Sequence, residues 1–182
     1  MNRRSLFLVC VSLLLVLAPF RESLLAGAGH APADGKEVIL KSSDITNRLF
    51  PEAVFFRGQT APVEMRNTAG VHFADDLYVL MGLVDNSGYS TSIRAKYQAY
   101  LLTEVPLQID GQSLKPGAYG FGFIDGGKFV ALDLGANEIF QVASQRDAEI
   151  KHPVPLQIVV SPNAGLYRLY NGRDFVEFKR LK

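Results

Sequence analysis

The chain has 182 residues, 48% of them hydrophobic and 20% charged, with 19 basic against 18 acidic side chains. So even a charge mixture leaves no basic footprint, which argues against nucleic acid as a partner. Cys10 is the only cysteine. It falls in a segment expected to be removed, so disulfides, a thiol nucleophile and a cysteine metal site are all excluded from the mature chain.

Asn2-Arg3-Arg4 precedes an apolar run over residues 6–20, and small residues with two A-x-A sites follow at 26–28 and 31–33. This is the layout of a secretory signal peptide, expected over residues 1–28. The run is shorter than the roughly 20 residues that span a bilayer, so no membrane span is expected after its removal. Cleavage takes Arg3, Arg4 and Arg21 against Glu22 and leaves the chain close to neutral. Residues 29–36 read as a flexible tail, and 37–182 as one domain large enough to bury a core without disulfides.

Residues 36–40 predict a first short strand. Ser43 to Leu49 offers a serine or aspartate cap and apolar residues four apart, predicting one or two helical turns before Pro51. Strands are expected over 53–57, stopped by Gly58, and over 63–67, ended by a turn at 67–70. Residues 71–73 and 77–84 flank Ala74-Asp75-Asp76 as a hairpin, and the second arm is apolar throughout, as in a central strand. Asp85-Asn-Ser-Gly88 is a strong turn signal. Ile93 and Tyr97 then suggest a short helix capped by Thr91 or Ser92. From 97 to 109 the period is two again, with Pro106 marking an edge or a bulge.

Pro116-Gly117 fits the centre of a type II turn. Tyr119, Phe121 and Phe123 then alternate with Gly120, Gly122 and Ile124, giving one aromatic face and one nearly bare. Asp125-Gly126-Gly127 supplies positive-φ residues for a hairpin. A Gly126-Gly127 loop sets Asp125 opposite Lys128 and Phe123 opposite Val130. That register gathers the large apolar groups on one face and is preferred to a loop one step earlier. Phe121 and Phe123 are accordingly expected in the core and Lys128 at a hairpin tip. Packing is the commoner reason for a bare glycine face; a ligand lying on it is the other.

Strands follow at 139–142 and 156–160, separated by a polar connection over 144–152. The last hairpin, 166–178, takes a four-residue loop that pairs Arg168 with Glu177, Leu169 with Val176 and Tyr167 with Phe178. Val105-Pro-Leu-Gln-Ile109 recurs as Val154-Pro-Leu-Gln-Ile158, each before a Gly-x-Tyr hairpin. Two equivalent strand–hairpin units are expected from that echo. The whole pattern predicts an all-β fold: a two-layer antiparallel β-sandwich, barrel-like in the alternative, with one or two short helices.

Gly111-Gln-Ser-Leu-Lys-Pro-Gly-Ala-Tyr-Gly120 resembles the G-x-x-L-P-A-G-T-Y-G signature of a bacterial family of secreted β-sandwich domains of unknown function. The resemblance spans residues 97–134, and the family's upstream tryptophan-containing segment has no counterpart in a chain without tryptophan. It implies a fold and an export route. No activity and no site residues come with it.

For chemistry, His72 with Asp75 and Asp76 could offer an imidazole and carboxylates to zinc or manganese near one hairpin tip. The plainer reading is a strand histidine before two turn aspartates. His152 reads as a loop residue. No serine stands in a Gly-x-Ser-x-Gly setting. Glycines 120, 122, 126 and 127 alternate within a strand instead of opening a helix, unlike a phosphate loop. Glu104 has no second carboxylate placed near it for glycoside hydrolysis. Tyr89, Arg94, Tyr97 and Tyr100 join apolar area to hydrogen-bonding ends in the longest non-repetitive connection, and are expected to form a binding surface.

The expected function is that of an exported, secreted or periplasmic, non-catalytic module that binds a protein or glycan of the cell envelope or serves there structurally. It needs no cofactor. The alternatives are a barrel-like carrier of an apolar ligand against the Gly120/Gly122 face, and a metal-dependent hydrolase built on His72 and its aspartates.

Overall fold

Why the segment at 77–84 is apolar throughout becomes clear from its position. The computed structural model describes residues 36–182; the expected signal peptide and nearly all of the tail lie outside them. An eight-stranded antiparallel sheet runs in the order β1 (Val38–Leu40), β3 (Gln59–His72), β4 (Tyr78–Val84), β5 (Ala99–Thr103), β8 (Gly117–Ile124), β9 (Lys128–Leu132) and β10 (Glu138–Ala143), with β2 (Ala53–Phe56) paired to the start of β3. β4 therefore sits inside the sheet, and both of its faces are covered. Val79 and Met81 enter one hydrophobic cluster, whereas Leu80 and Val84 enter a second on the opposite face. A strand buried on both sides loses its alternation.

The second sheet has six strands, in the order β12 (Gln157–Val160), β13 (Tyr167–Asn171), β14 (Asp174–Arg180), β6 (Leu107–Ile109) and β7 (Gln112–Leu114), with β11 (Gln145–Arg146) also on β14. Its inner face meets the larger sheet across the first cluster, through Leu107, Ile109, Leu169, Val176 and Phe178 against Met81, Leu101, Phe121 and Phe129. This is the all-β sandwich that the period-two pattern predicts. Two tight turns, Arg57-Gly58 and Asp110-Gly111, place both central residues at positive φ, as type I′ hairpins require.

The outer face of the larger sheet carries the second cluster. Ile45, Phe50, Val54, Phe56, Tyr89 and Tyr97 cover Leu80, Tyr100, Val130 and Leu132. Phe56 stacks on Tyr97 with ring centroids 3.7 Å apart. This third layer, made of β2 and two irregular segments, accounts for most of the differences from the expected elements.

Residues 43–49 form isolated turns in place of helix, because Ile45 and Phe50 point down onto the sheet. The one helix among the described residues is α1 (Thr91–Arg94), whose N-cap is Ser90, not Thr91 or Ser92. The strand expected to stop near Asn67 continues instead to His72, and its ladder with β4 shifts between Val63 and Thr68. Residues 97–109 are two strands in different sheets: β5 leaves the large sheet, the chain crosses at Val105-Pro106, and β6 enters the small one. Gly117 is the first residue of β8 at φ +155°, far from type II geometry, because the chain returns there to the large sheet.

The β8–β9 hairpin has a three-residue loop, Asp125-Gly126-Gly127, which pairs Ile124 with Lys128 and Phe123 with Phe129. Relative to the expected register this is a slip of one, and a slip of one reverses faces. Phe121 thus shares its face with Phe129 and Ala131, while Val130 and Leu132 lie on the glycine face in the second cluster. Phe121 is fully buried, Phe123 is half-buried and Lys128 is exposed. The Val-Pro-Leu-Gln-Ile echo does not yield equivalent units either. β6 and β12 both lie in the small sheet, but the Gly-x-Tyr hairpin that follows β6, β8–β9, belongs to the large sheet and the one that follows β12, β13–β14, to the small.

Candidate functional site: the open seam between the sheets

Three of the four residues expected to form a binding surface are core. Tyr89 and Tyr100 are each 6% exposed and Tyr97 is wholly buried; only Arg94 faces solvent. Irregular backbone over 85–98 is held by its own bonds: Asn86 Nδ2 donates to the carbonyls of Arg94 and Tyr97 at 3.3 and 2.5 Å, and the Tyr89 hydroxyl donates to Phe56 O at 2.9 Å. Burial raises the hydroxyl pKa of all three tyrosines. The Tyr97 hydroxyl has no hydrogen-bond partner among the described residues. An unsatisfied buried hydroxyl costs about 1–3 kcal/mol. Tyr97→Phe is therefore expected to stabilise the protein by about 1 kcal/mol, seen as a higher urea midpoint with unchanged slope. A lower midpoint would show that the hydroxyl is satisfied.

The glycine face is filled as well. A Cβ at Gly120 would come within 2.6 Å of the Phe56 ring, and one at Gly122 would run into the carbonyl oxygen of Lys96. The third layer lies against it.

At the β3–β4 tip, His72 Nε2 lies 2.8 Å from Asp76 Oδ1 and its ring stacks on Tyr78 at 4.3 Å. Asp75 turns away and takes both terminal nitrogens of Arg180 at 2.7 Å, and Arg180 sits over the Phe73 ring at 5.0 Å. That hydrogen-bonded guanidinium holds the Asp75 carboxyl below its ordinary value. The three residues do not converge, and among the described residues no group of three or more His, Cys, Asp or Glu side chains is placed to hold a metal. His152 is exposed, and Glu104 accepts the Tyr78 amide at 2.8 Å.

A denser polar cluster lies on the outer face of the small sheet. Glu177 accepts Ser161 Oγ at 2.6 Å, Arg168 Nε at 3.0 Å and Asn163 Nδ2 at 3.0 Å. The Ser161 hydroxyl is committed, donating to Glu177 and accepting the Asn163 amide at 3.1 Å. The cluster therefore fastens the loop after β12 to β13–β14. Ser161 foremost, with Arg168 and Asn163, holds the Glu177 carboxyl below its ordinary value of 4.5. A depressed acid contributes stability that is present above the unfolded value and lost as pH falls through the folded one. Glu177→Gln is expected to flatten the part of the acid-unfolding curve below about pH 4.5, measured by denaturation midpoints across pH. An unchanged acid limb would remove Glu177 from that role.

The feature of this molecule best suited to binding is the seam along one side of the sandwich. β12 ends the small sheet there and runs beside β3 and β1 without pairing to either. Between them lies a cleft of about 370 Å³, walled by residues 39–42, 66–69 and 154–159. Its depth reaches Ala69, Leu156 and Ile158, which belong to the main core. Lys41 and Arg66 are exposed at its mouth, the lining includes no acidic residue, and neither cation has an ion pair among the described residues. The seam continues into a wider hollow of about 560 Å³ at Val38, Val160 and Tyr167, which Lys36 and Glu37 also line. Val38 is 46% and Val160 65% exposed. Sequence reasoning misses this site. The one signal for it is the uncharged stretch from Val154 to Val160, an edge strand without a guarding charge.

Comparison with protein-family models, with curated proteins and with solved structures yields no match for this chain. Among the described residues no helix is long and apolar enough to cross a membrane.

Proposed function

We propose that this protein is an exported, non-catalytic β-sandwich module that binds a protein or glycan of the cell envelope, with the seam between the sheets as its contact surface. The observation that carries the reading is the cleft itself. One wall is an unpaired, uncharged strand edge, the floor is core, and two cations stand at the mouth without acidic neighbours in the lining. Concave, mostly apolar sites with a few placed polar groups are where ligands bind. Export rests on the basic start, apolar run and A-x-A sites of residues 1–33.

A second reading, a carrier of a small apolar ligand, is favoured by the depth of the same cleft, with the ligand placed there and not on the glycine face. To test both, the isotope-labelled mature chain is titrated with extended peptides, oligosaccharides and alkyl carboxylates while backbone amide shifts are recorded. Shifts are expected at residues 39–42, 66–69 and 154–160, with 89–100 unmoved. Turnover of an added substrate that is lost on replacing His72 or Asp76 would overturn the non-catalytic reading.

A further inference from the structure

We propose that the seam takes an extended, acidic peptide strand from a partner protein, added antiparallel to the free edge of β12. This deepens the binding function above and rests on it. The backbone supplies the first argument. Ser161 N donates to Leu166 O, so these two form a hydrogen-bonded pair in the β12–β13 ladder. Hydrogen-bonded and non-bonded pairs alternate along antiparallel strands. Gln157 and Val159 therefore bond to β13, and Ile158 and Val160 turn their N–H and C=O groups the other way, toward the seam. Those groups are spaced to receive an incoming strand, as in recognition by β-augmentation.

The facing wall has a matching gap. β2 pairs with β3 only as far as Pro62, and β1 begins its pairing at Gly70, so residues 64–69 of β3 have no strand partner on that side. The β12 edge is four residues long with Pro155 and Pro162 beside it, but within Gln157–Val160 it carries no charge and no register break. β10, an edge of the other sheet, has a register break beside Glu138, whose carboxylate meets Lys96 at 3.1 Å. Such breaks and charges are how natural edges avoid pairing; β12 has neither.

Charge selects the peptide. Lys41 and Arg66 flank the cleft with no acidic residue in its lining. Asp44 and Glu64 beside it are engaged by the Lys41 amide at 2.9 Å and the Asn67 carboxamide at 2.7 Å. In the hollow at Val160, Glu37 is accompanied by Lys36. Carboxylates on the part of the incoming strand between Lys41 and Arg66 are therefore favoured and basic ones disfavoured. Alternation does the rest: a strand that turns apolar side chains inward to Ala69 and Leu156 turns every other residue outward to the cations.

The experiment uses a fluorescent heptapeptide alternating valine and glutamate, a lysine version of it, and dodecanoate. Three proteins are compared: the wild type, Val160→Pro and Lys41→Glu/Arg66→Glu. Val160→Pro removes one seam-facing N–H and leaves the β12–β13 bonds intact; thermal melts establish that each variant is folded. The acidic peptide is expected to bind the wild type and to protect the Ile158 and Val160 amides from exchange. Both variants, and the lysine peptide, are expected to bind at least about tenfold more weakly. Acidic-peptide binding indifferent to Val160→Pro and to the charge reversal overturns strand addition. Binding of dodecanoate alone overturns it too, but keeps the cleft as a small-ligand site. Failure of both probes overturns strand addition and the small-ligand site alike, and the binding reading falls with them only if the oligosaccharide titration above also leaves the seam amides unmoved.

Discussion

Phe56→Ala is expected to destabilise the protein by about 3–5 kcal/mol, the usual loss for a fully buried phenylalanine. Phe56 is 0% exposed. It stacks on Tyr97, meets Tyr89 edge-on at 6.0 Å, and occupies the space above Gly120. Its removal would leave a cavity lined by aromatic rings that cannot close over it, and would loosen the backbone carbonyl that accepts the Tyr89 hydroxyl. Phe121→Ala, in the cluster between the sheets, belongs to the same range. Phe55, next in sequence but 58% exposed, is expected to change stability by no more than about 0.5 kcal/mol. Guanidinium denaturation of the three variants checks this. A Phe56→Ala midpoint close to that of Phe55→Ala would mean that the layer over the large sheet contributes little to folding.

How far the sequence speaks for the fold depends on whether side chains or turns set each register. The β13–β14 hairpin is legible because Arg168 with Glu177 and Leu169 with Val176 make good pairs in one alignment alone, and the structure has that alignment. Asp125-Gly126-Gly127 accommodates two- and three-residue loops alike. Its flanks are apolar enough to pair in either, so the pattern leaves parity open and points Val130 and Leu132 to the wrong face. The tyrosines mislead for a related reason. A break in periodicity shows that a segment is irregular, not whether it faces water or a second face of the sheet.

A clue does lie in the glycines. Gly82, Gly120 and Gly122 all fall on the outer face of the large sheet, and each has an atom of the covering layer (Phe50, Phe56 and Lys96 in turn) within 3.0 Å of where a Cβ would stand. Missing side chains on one face of several strands signal a close cover. The seam has no local signature beyond the uncharged stretch from Val154 to Val160, since its walls come from residues 39–42, 66–69 and 154–159 and exist only once both sheets have formed.

Gly122→Ala is the sharper test of that cover, and about 3 kcal/mol of destabilisation is expected, at the upper end of ordinary overpacking. The obstacle at Gly122 is main chain: the carbonyl oxygen and carbon of Lys96, with the Gln98 carboxamide beside them. Side chains rotate out of the way; this peptide cannot without breaking other bonds. Tyr97 N, one residue on, donates to Ile93 O at 2.7 Å, and Gln98 N donates to Phe121 O at 2.9 Å. The Gln98 side chain completes a false strand pair with Phe123, donating to its carbonyl at 2.9 Å and accepting its amide at 3.0 Å. Moving Lys96 outward would strain all of these bonds and lift Tyr97 from Phe56. Gly126 supplies the comparison. It has φ +82° and nothing within 4 Å of where a methyl group would stand, so Gly126→Ala meets only the cost of a left-handed alanine, about 1–2 kcal/mol. Urea midpoints of the two variants make the comparison. A larger loss at Gly126 than at Gly122 would mean that the 89–98 segment is free to move off the sheet, and the tyrosines would again be candidates for a surface.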